Sequence, residues 1–239
     1  MLTDDLKLTK RLGKWVPHEL TEDQMECRSL ASRHNLLLLN HHPYRLKQTL
    51  AIDETWVSLY TPPPRDKQKF WLRKGERAPE IPAQGMGERK RMLIMAMDFK
   101  GIAFWHLYEE GETVTSEAYR DLLSREIPKW LRGKNFRHPI LLHDNARPHK
   151  ARLIKDFLKS RQIEVWDHPP YSPDLNPCDF NCFGPLKRQI KRNRYADWNQ
   201  LQQALEAAIR DGSERGLYKG VQMLPERWEK VVENEGAYL

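Results

Sequence analysis

The succession of hydrophobic patterns along the 239 residues predicts an α/β fold, a mixed five-stranded sheet with helices on both faces. Three observations carry that expectation. Two apolar stretches, "MLIMAMDF" and "GIAFWHLY", flank a tight turn between Asp98 and Gly101, the pattern of a β-hairpin. The apolar period then lengthens from two to near 3.6, with Tyr119, Leu122, Leu123, Ile127, Trp130 and Leu131 on one helical face. Beyond that helix, short continuous apolar runs alternate with amphipathic stretches, as central strands alternate with the helices that cover them.

The elements follow in order. Residues 1–20 are charged, short of core residues and contain Pro17, and read as a tail or linker. Thr21 and Gln24 stand at capping-box spacing, so a helix is expected from there to about Leu39. "TLAIDETWVSLY", residues 49–60, is rich in β-branched and aromatic residues and reads as the first strand. Residues 61–91 hold five prolines, three glycines and many bases, and form a long loop expected to be extended or poorly ordered. After the hairpin come the helix of residues 116–132, a strand in "HPILLHDN", a helix carrying Leu153, Ile154, Phe157 and Leu158, and a strand in "IEVWDHPP" stopped by Pro169 and Pro170. Helices near 177–193, 198–211 and 223–234 complete the chain. Three strands, helix, strand, helix, strand, helices is the order of the ribonuclease H-like fold.

Composition narrows the function. With 39% hydrophobic and 31% charged residues the chain reads as globular, and no apolar run approaches the length of a membrane span or a signal-peptide core. A net charge of +7 favours a polyanionic partner. Cys27, Cys178 and Cys182 make an odd count without a second ligand pair, the pattern of reduced thiols in a reducing compartment. His143, His149 and His168 fit no zinc-site spacing.

Three carboxylates stand out. Asp53 lies within a strand, on the face of Ala51, Thr55 and Val57, where a lone carboxylate is costly unless paired or metal-bound. Asp144 follows an apolar strand, the end at which α/β sheets collect their sites, although it could also cap the helix that starts near Ala146. Asp179 shares a helical face with Phe183, Leu186 and Ile190 and so points at the core side. Three such acids can converge on one cluster suited to Mg²⁺ or Mn²⁺, hard ions that take oxygen ligands. Two ions there would support an in-line phosphoryl displacement. Asp98, Asp167 and Asp174 are set aside, the first in a hairpin turn, the others beside prolines.

"WVPHEL" (15–20), "AIDETW" (51–56), "LLHDNARPH" (141–149) and "HPPYSPDLNPCDF" (168–180) together resemble the successive signatures of the mariner branch of the Tc1/mariner DNA transposases. Asp144 and Asp179 are separated by 34 residues, the spacing of the mariner DD34D triad. The resemblance implies a ribonuclease H-like core that cuts DNA at transposon inverted repeats and joins the 3′ ends to a TA target. It carries the catalytic, metal-binding role onto Asp53, Asp144 and Asp179. In full-length members helix-turn-helix modules precede "WVPHEL", where 14 residues stand here. Residues 1–20 are therefore expected to be an interdomain linker remnant and 21–239 a catalytic domain with a basic loop insertion at 61–91.

Arg65, Lys67, Lys69, Arg73, Lys74 and Arg77, interleaved with Phe70 and Trp71, suit phosphate neutralisation and stacking. DNA contacts are expected from Lys14, Trp15, Arg73, Lys74, Arg147 and His149, and contacts with a second subunit of a homodimer from Trp15, Val16, Phe70 and Trp71. The expected location is the nucleus, with no membrane partner. "KRQIKRNR" (187–194) is either an import signal or, as favoured here, the exposed side of the helix bearing Asp179. Two rivals remain at this stage, a ribonuclease H-like nuclease acting on RNA in hybrids and a domesticated DNA-binding protein with decayed catalysis.

Overall fold

The computed structural model describes residues 16, 18–60, 71–73, 75–77, 89–136, 138–191 and 193–239. Lys14, Trp15, Phe70, Lys74 and most of the basic loop lie outside the described residues. Helix α1 (Glu22–His41) opens on the expected capping box, in which Thr21 Oγ1 accepts from the Gln24 amide and Gln24 Oε1 from the Thr21 amide. Its inward face is polar. Arg28, Ser32 and Asn35 are buried with Leu39, while Leu30 and Leu37 are exposed. The buried guanidinium is sustained by a forked pair of bonds to Asp174, at 2.8 and 2.7 Å, and by bonds to Ser172 Oγ and the Gly236 carbonyl. Asp174 is thus a structural acid, as its setting beside prolines suggested.

Strand β1 (Thr49–Ser58) pairs antiparallel with β2 (Lys90–Asp98), which turns through a hairpin into β3 (Gly101–Leu107). Helix α2 (Ser116–Leu131) crosses to β4 (Ile140–Leu142), which lies parallel to β1. Two short helices, α3 (Arg147–Lys150) and α4 (Arg152–Ser160), precede β5 (Glu164–Val165), parallel to β4. The sheet order is β3-β2-β1-β4-β5. A π-helical turn (Cys178–Phe183), α5 (Gly184–Ile190), α6 (Trp198–Glu214) and α7 (Leu224–Glu233) finish the fold. No helix among the described residues is long and apolar enough to cross a membrane.

The period of two in the strands sorts the core into two layers. Leu50, Ile52, Ile94, Ala96 and Leu141 pack under α2 and α4, with Tyr119, Leu122, Leu123, Ile154 and Leu158. Ala51, Leu93, Met95, Met97, Ile140 and Leu142 pack on the other face against Cys178, Cys182, Leu186, Leu201, Leu205 and Trp228. The expected mixed five-stranded sheet with helices on both faces is what forms.

Three local expectations differ. The last two strands are only three and two residues long. The helix after Ala146 is broken at Ala151, whose ψ of 146° is extended. The single helix near 177–193 is instead a π-helical turn leading into α5.

Candidate active site

Asp53 sits in the middle of β1, opposite Met95 of β2, and Asp144 lies two residues past the end of β4. Because Leu142 pairs in parallel register with Ala51, the chain leaving β4 passes beside Asp53. Asp179 comes from the π-helical turn, which is seated directly on these strands. Cys178 is fully buried, its Sγ 3.7 Å from the Ala51 carbonyl and 3.5 Å from the Met95 carbonyl. Gly220 allows the chain to close over this turn, since a Cβ there would stand 2.9 Å from Pro177 Cβ.

The π turn also changes which way Asp179 faces. A regular helix would set it in line with Phe183, Leu186 and Ile190, but the wider turn buries Cys178 and Cys182 beside Phe183. Asp179 moves to the rim, half-buried, where a cavity of about 530 Å³ opens. That cavity is lined by Asp53, Glu54, Asp144, Asn176, His168 and Asp179, among others.

Two electrostatic arrangements coexist around it. Asp53 and Asp179 stand close enough that a proton held by Asp53 can be donated to Asp179. Burial, then the charge of Asp179, hold the Asp53 carboxyl well above the usual carboxylate range. Burial also lifts Asp179, against its bond to Asp53, and the charge of Asp144 adds to the lift. Asn176 Nδ2 donates to Asp53 Oδ2 at 2.9 Å, and Asn176 Oδ1 accepts from the Cys178 amide, which ties the "LNP" segment to the acid.

Asp144 behaves oppositely. Burial would raise it, but the bond to His149 and that from the Ala146 amide hold it below the usual range. His149 Nδ1 lies 2.7 Å from Asp144 Oδ1, and its Nε2 lies 3.1 Å from Glu54 Oε1. Burial opposes charge on that ring, yet the two carboxylates lift its pKa to about 10. Burial and the neighbouring His149 push His143 down to about 3, and burial takes His168 down to about 4, so both are neutral rings.

Several expectations are corrected by this geometry. Asp144 does not cap the following helix; Ala146 occupies the cap position, and Asp144 Oδ1 accepts from the Ala146 amide in an Asx turn. His149 was expected to touch DNA, but its side chain is 1% exposed and both nitrogens face carboxylates. The three aspartates line one cavity without forming a ready cage. Among the described residues no group of three His, Cys, Asp or Glu side chains is arranged to hold an ion. Asp53 and Asp179 are engaged with each other, and Asp144 Oδ1 with His149 and Ala146. Arg147, Arg73 and Trp71 are exposed, as is Val16. Arg188 and Lys191 lie on the exposed side of α5.

Sequence reasoning missed Glu54, Asn176 and Tyr119. Glu54 follows Asp53 in a strand and so points to the opposite face, toward α2; two adjacent acids in one strand were the available signal. Nothing in local pattern marks Asn176 or Tyr119.

The sheet order, the helices on both faces and acids on β1, after β4 and on a helical turn define a ribonuclease H-like domain with an acidic site. The profile of the DDE superfamily endonucleases matches residues 48–202. The chain belongs to that family, on its mariner branch. It is 30% identical to the mariner Mos1 transposase of Drosophila mauritiana over 96% of its own length and 67% of that protein. It is 34% identical to the human histone-lysine N-methyltransferase SETMAR, again over 96% of its length, but spans only about a third (34%) of SETMAR. The structure superposes on the Mos1 paired end complex with Mg at a TM-score of 0.87, 29% identity and 99% coverage, spanning 69% of that chain. On the isolated Mos1 catalytic domain the TM-score is 0.76 at 28% identity, covering 94% of this chain and all (100%) of that one.

Proposed function

We propose that this chain is the catalytic domain of a mariner-type DNA transposase, cutting DNA at transposon ends and transferring the 3′ ends to TA targets. The observation that carries the reading is the half-buried Asp53–Asp179 pair facing Asp144 across one open cavity. Two neighbouring, partly desolvated carboxyls are held at a free-energy cost, and a divalent cation relieves it. The donors are all oxygen, which fits Mg²⁺ or Mn²⁺ and not zinc. Asp53, Asp144 and Asp179 would hold the metal. When bound, the metal would activate a water or 3′-hydroxyl and stabilise the leaving oxygen of the phosphodiester.

The chain's own residues do the rest. Asn176 fixes the Asp53 carboxyl, and Cys178 seats the turn that carries Asp179. Exposed Arg147 and Arg73 stand available to DNA phosphates, and Val16 and Trp71 to a second copy of the chain. The names of the Mos1 paired end complexes support DNA ends as partners. Location in the nucleus follows from a DNA substrate. The domain reading, with residues 1–20 as linker and 21–239 as catalytic domain, belongs to the same proposal.

Purified protein is incubated with supercoiled plasmid, with inverted-repeat duplexes and with RNA:DNA hybrid, in Mg²⁺, Mn²⁺ or EDTA. Metal-dependent nicking of DNA, with strand transfer into TA-containing duplex and loss of both in Asp144→Asn, is the expected result. Cleavage of the hybrid alone would favour a ribonuclease, and full activity in EDTA would overturn the assignment.

A further inference from the structure

We propose that His149 is the positioning residue for Asp144, tethering it to the strand that carries Asp53 through a bridge to Glu54. The inference rests on the metal-dependent reading above and adds a residue to it.

Of the three aspartates in that reading, Asp144 is the one carried on a loop. Its side chain is 45% exposed and sits on a loop beyond the end of β4. A half-exposed carboxylate on a loop samples several rotamers, and a ligand that samples rotamers binds an ion weakly. What restrains it is a wholly buried ring. His149 Nδ1 meets Asp144 Oδ1 at 2.7 Å, and Nε2 meets Glu54 Oε1 at 3.1 Å. Only imidazole has two nitrogens on opposite edges of a rigid ring, so it can span two carboxylates in a way that Lys or Asn would not.

The ring is itself fixed by packing. Tyr119 lies against it with centroids 4.2 Å apart, and His143 stacks at 5.0 Å and 17°. Tyr119 Oη and His143 Nδ1 are 3.1 Å apart, which locks those two rings together. The α3 turn supports the same placement, since the His149 amide donates to the Ala146 carbonyl at 3.0 Å. Among the described residues, the hydrogen bonds on Asp144 go to Oδ1, one from His149 and one from the Ala146 amide at 2.9 Å. Oδ2 is the oxygen that this arrangement offers to an ion. Glu54 supplies the other anchor. It is rooted in β1 next to Asp53, so the bridge sets Asp144 relative to the very strand that carries its partner.

The test reads metal affinity in place of overall activity. Mn²⁺ binding is measured by calorimetry, and the Mn²⁺ dependence of plasmid nicking is measured alongside, on parent, His149→Ala, His149→Gln and Glu54→Ala. Second ligand-orienting groups of this kind are worth about 10–100-fold in metal affinity. His149→Ala is expected to raise the half-saturating Mn²⁺ by at least about 10-fold, with the maximal rate at saturating Mn²⁺ reduced less. His149→Gln keeps a donor for Asp144 and is expected to recover part of the loss. Glu54→Ala removes the far anchor and its contact with Nε2 while leaving the ring itself and its packing on Tyr119 and His143 in place, and is expected to shift half-saturation in the same direction even if His149→Ala folds poorly. Parental Mn²⁺ affinity in both Glu54→Ala and a folded His149 variant overturns the proposal. A parent that binds Mn²⁺ without nicking DNA overturns the transposase reading, while the positioning role is still decided by the shift in affinity. A parent that binds no Mn²⁺ overturns both.

Discussion

Asp98 and Asp53 lie three residues apart in register on the same pair of strands, and the fold treats them in opposite ways. Asp98 ends β2 and is buried, yet every part of its charge is answered. Lys134 Nζ lies 2.7 Å from Oδ2, Trp130 Nε1 donates to the same oxygen at 2.9 Å, and the Lys100 amide donates to Oδ1 at 2.7 Å. Burial would raise its pKa, but these three donors outweigh it and the carboxyl is held low. Asp53 has an amide and the Asn176 side chain, but burial and then the charges of its other close neighbours, the acids Asp179 and Glu54, drive its pKa up. A structural acid is surrounded by its counter-charge within the chain. In the metal-dependent reading proposed above, Asp53 is left with a repulsion that a bound cation would remove.

The comparison breaks most visibly if Asp53→Asn behaves like a core lesion. Asparagine keeps the shape and removes the repulsion from Asp179. Metal-dependent nicking is expected to fall by about 10³-fold or more, while the melting temperature holds or rises. A melting temperature that drops with activity would show that Asp53 is structural after all. Divalent ion sharpens the same contrast. At Mn²⁺ about 100 times its dissociation constant, linkage stabilises the parent by about 2.7 kcal/mol, whereas Asp53→Asn should show little of that shift in a thermal melt.

Asp98→Asn is the mirror experiment. It removes one partner of a buried ion pair and is expected to cost about 2 kcal/mol in urea denaturation, with nicking per folded molecule unchanged. A loss of rate at full folding would mean that the two acids are not functionally separate.

The smallest effect lies in the pH dependence of stability, measured by urea titration in EDTA. The low folded pKa of Asp98 contributes stability that is complete above the unfolded value of about 3.9 and is lost as pH falls through the folded pKa. Asp53→Asn and Asp98→Asn should therefore part company. The advantage of the parent over Asp98→Asn narrows as the solution is acidified. The raised Asp53–Asp179 pair works the other way, because the unfolded chain releases its protons first. Its penalty grows as pH rises from about 4 through the folded pKa, so Asp53→Asn should lose less stability than the parent across that window. Parallel curves for all three proteins would remove the electrostatic basis of the comparison.

Much of this was legible in the residues themselves. The capping box at Thr21 and Gln24, the hairpin at Asp98–Gly101, the α2 stripe and the order of strands depend on local spacing, and local spacing is what a sequence displays. The three aspartates were legible for a related reason. A charge inside an apolar pattern is conspicuous wherever the chain goes. Asp53 broke a strand pattern, Asp144 ended one, and Asp179 stood among core positions.

The partners of those acids were not legible, because each is set by contacts between residues far apart in the chain. Arg28 reaches Asp174 across 146 positions, and Glu54 meets His149 across 95. The burial of Arg28, Ser32 and Asn35 on α1 while Leu30 and Leu37 stay exposed makes sense only once the loop around Ser172 and the tail at Gly236 are packed against it. The π-helical turn is the sharpest case. Helical periodicity alone set Asp179 in line with the core, and the seating of Cys178 on the Ala51 and Met95 carbonyls shifted it to the rim. Sequence by itself determined which residues carry charge into the sheet and in what order the elements come. Only the tertiary structure decided which charges are neutralised within the chain and which face one another without a counter-charge, because electrostatic energy depends on distance in space and not on separation along the chain.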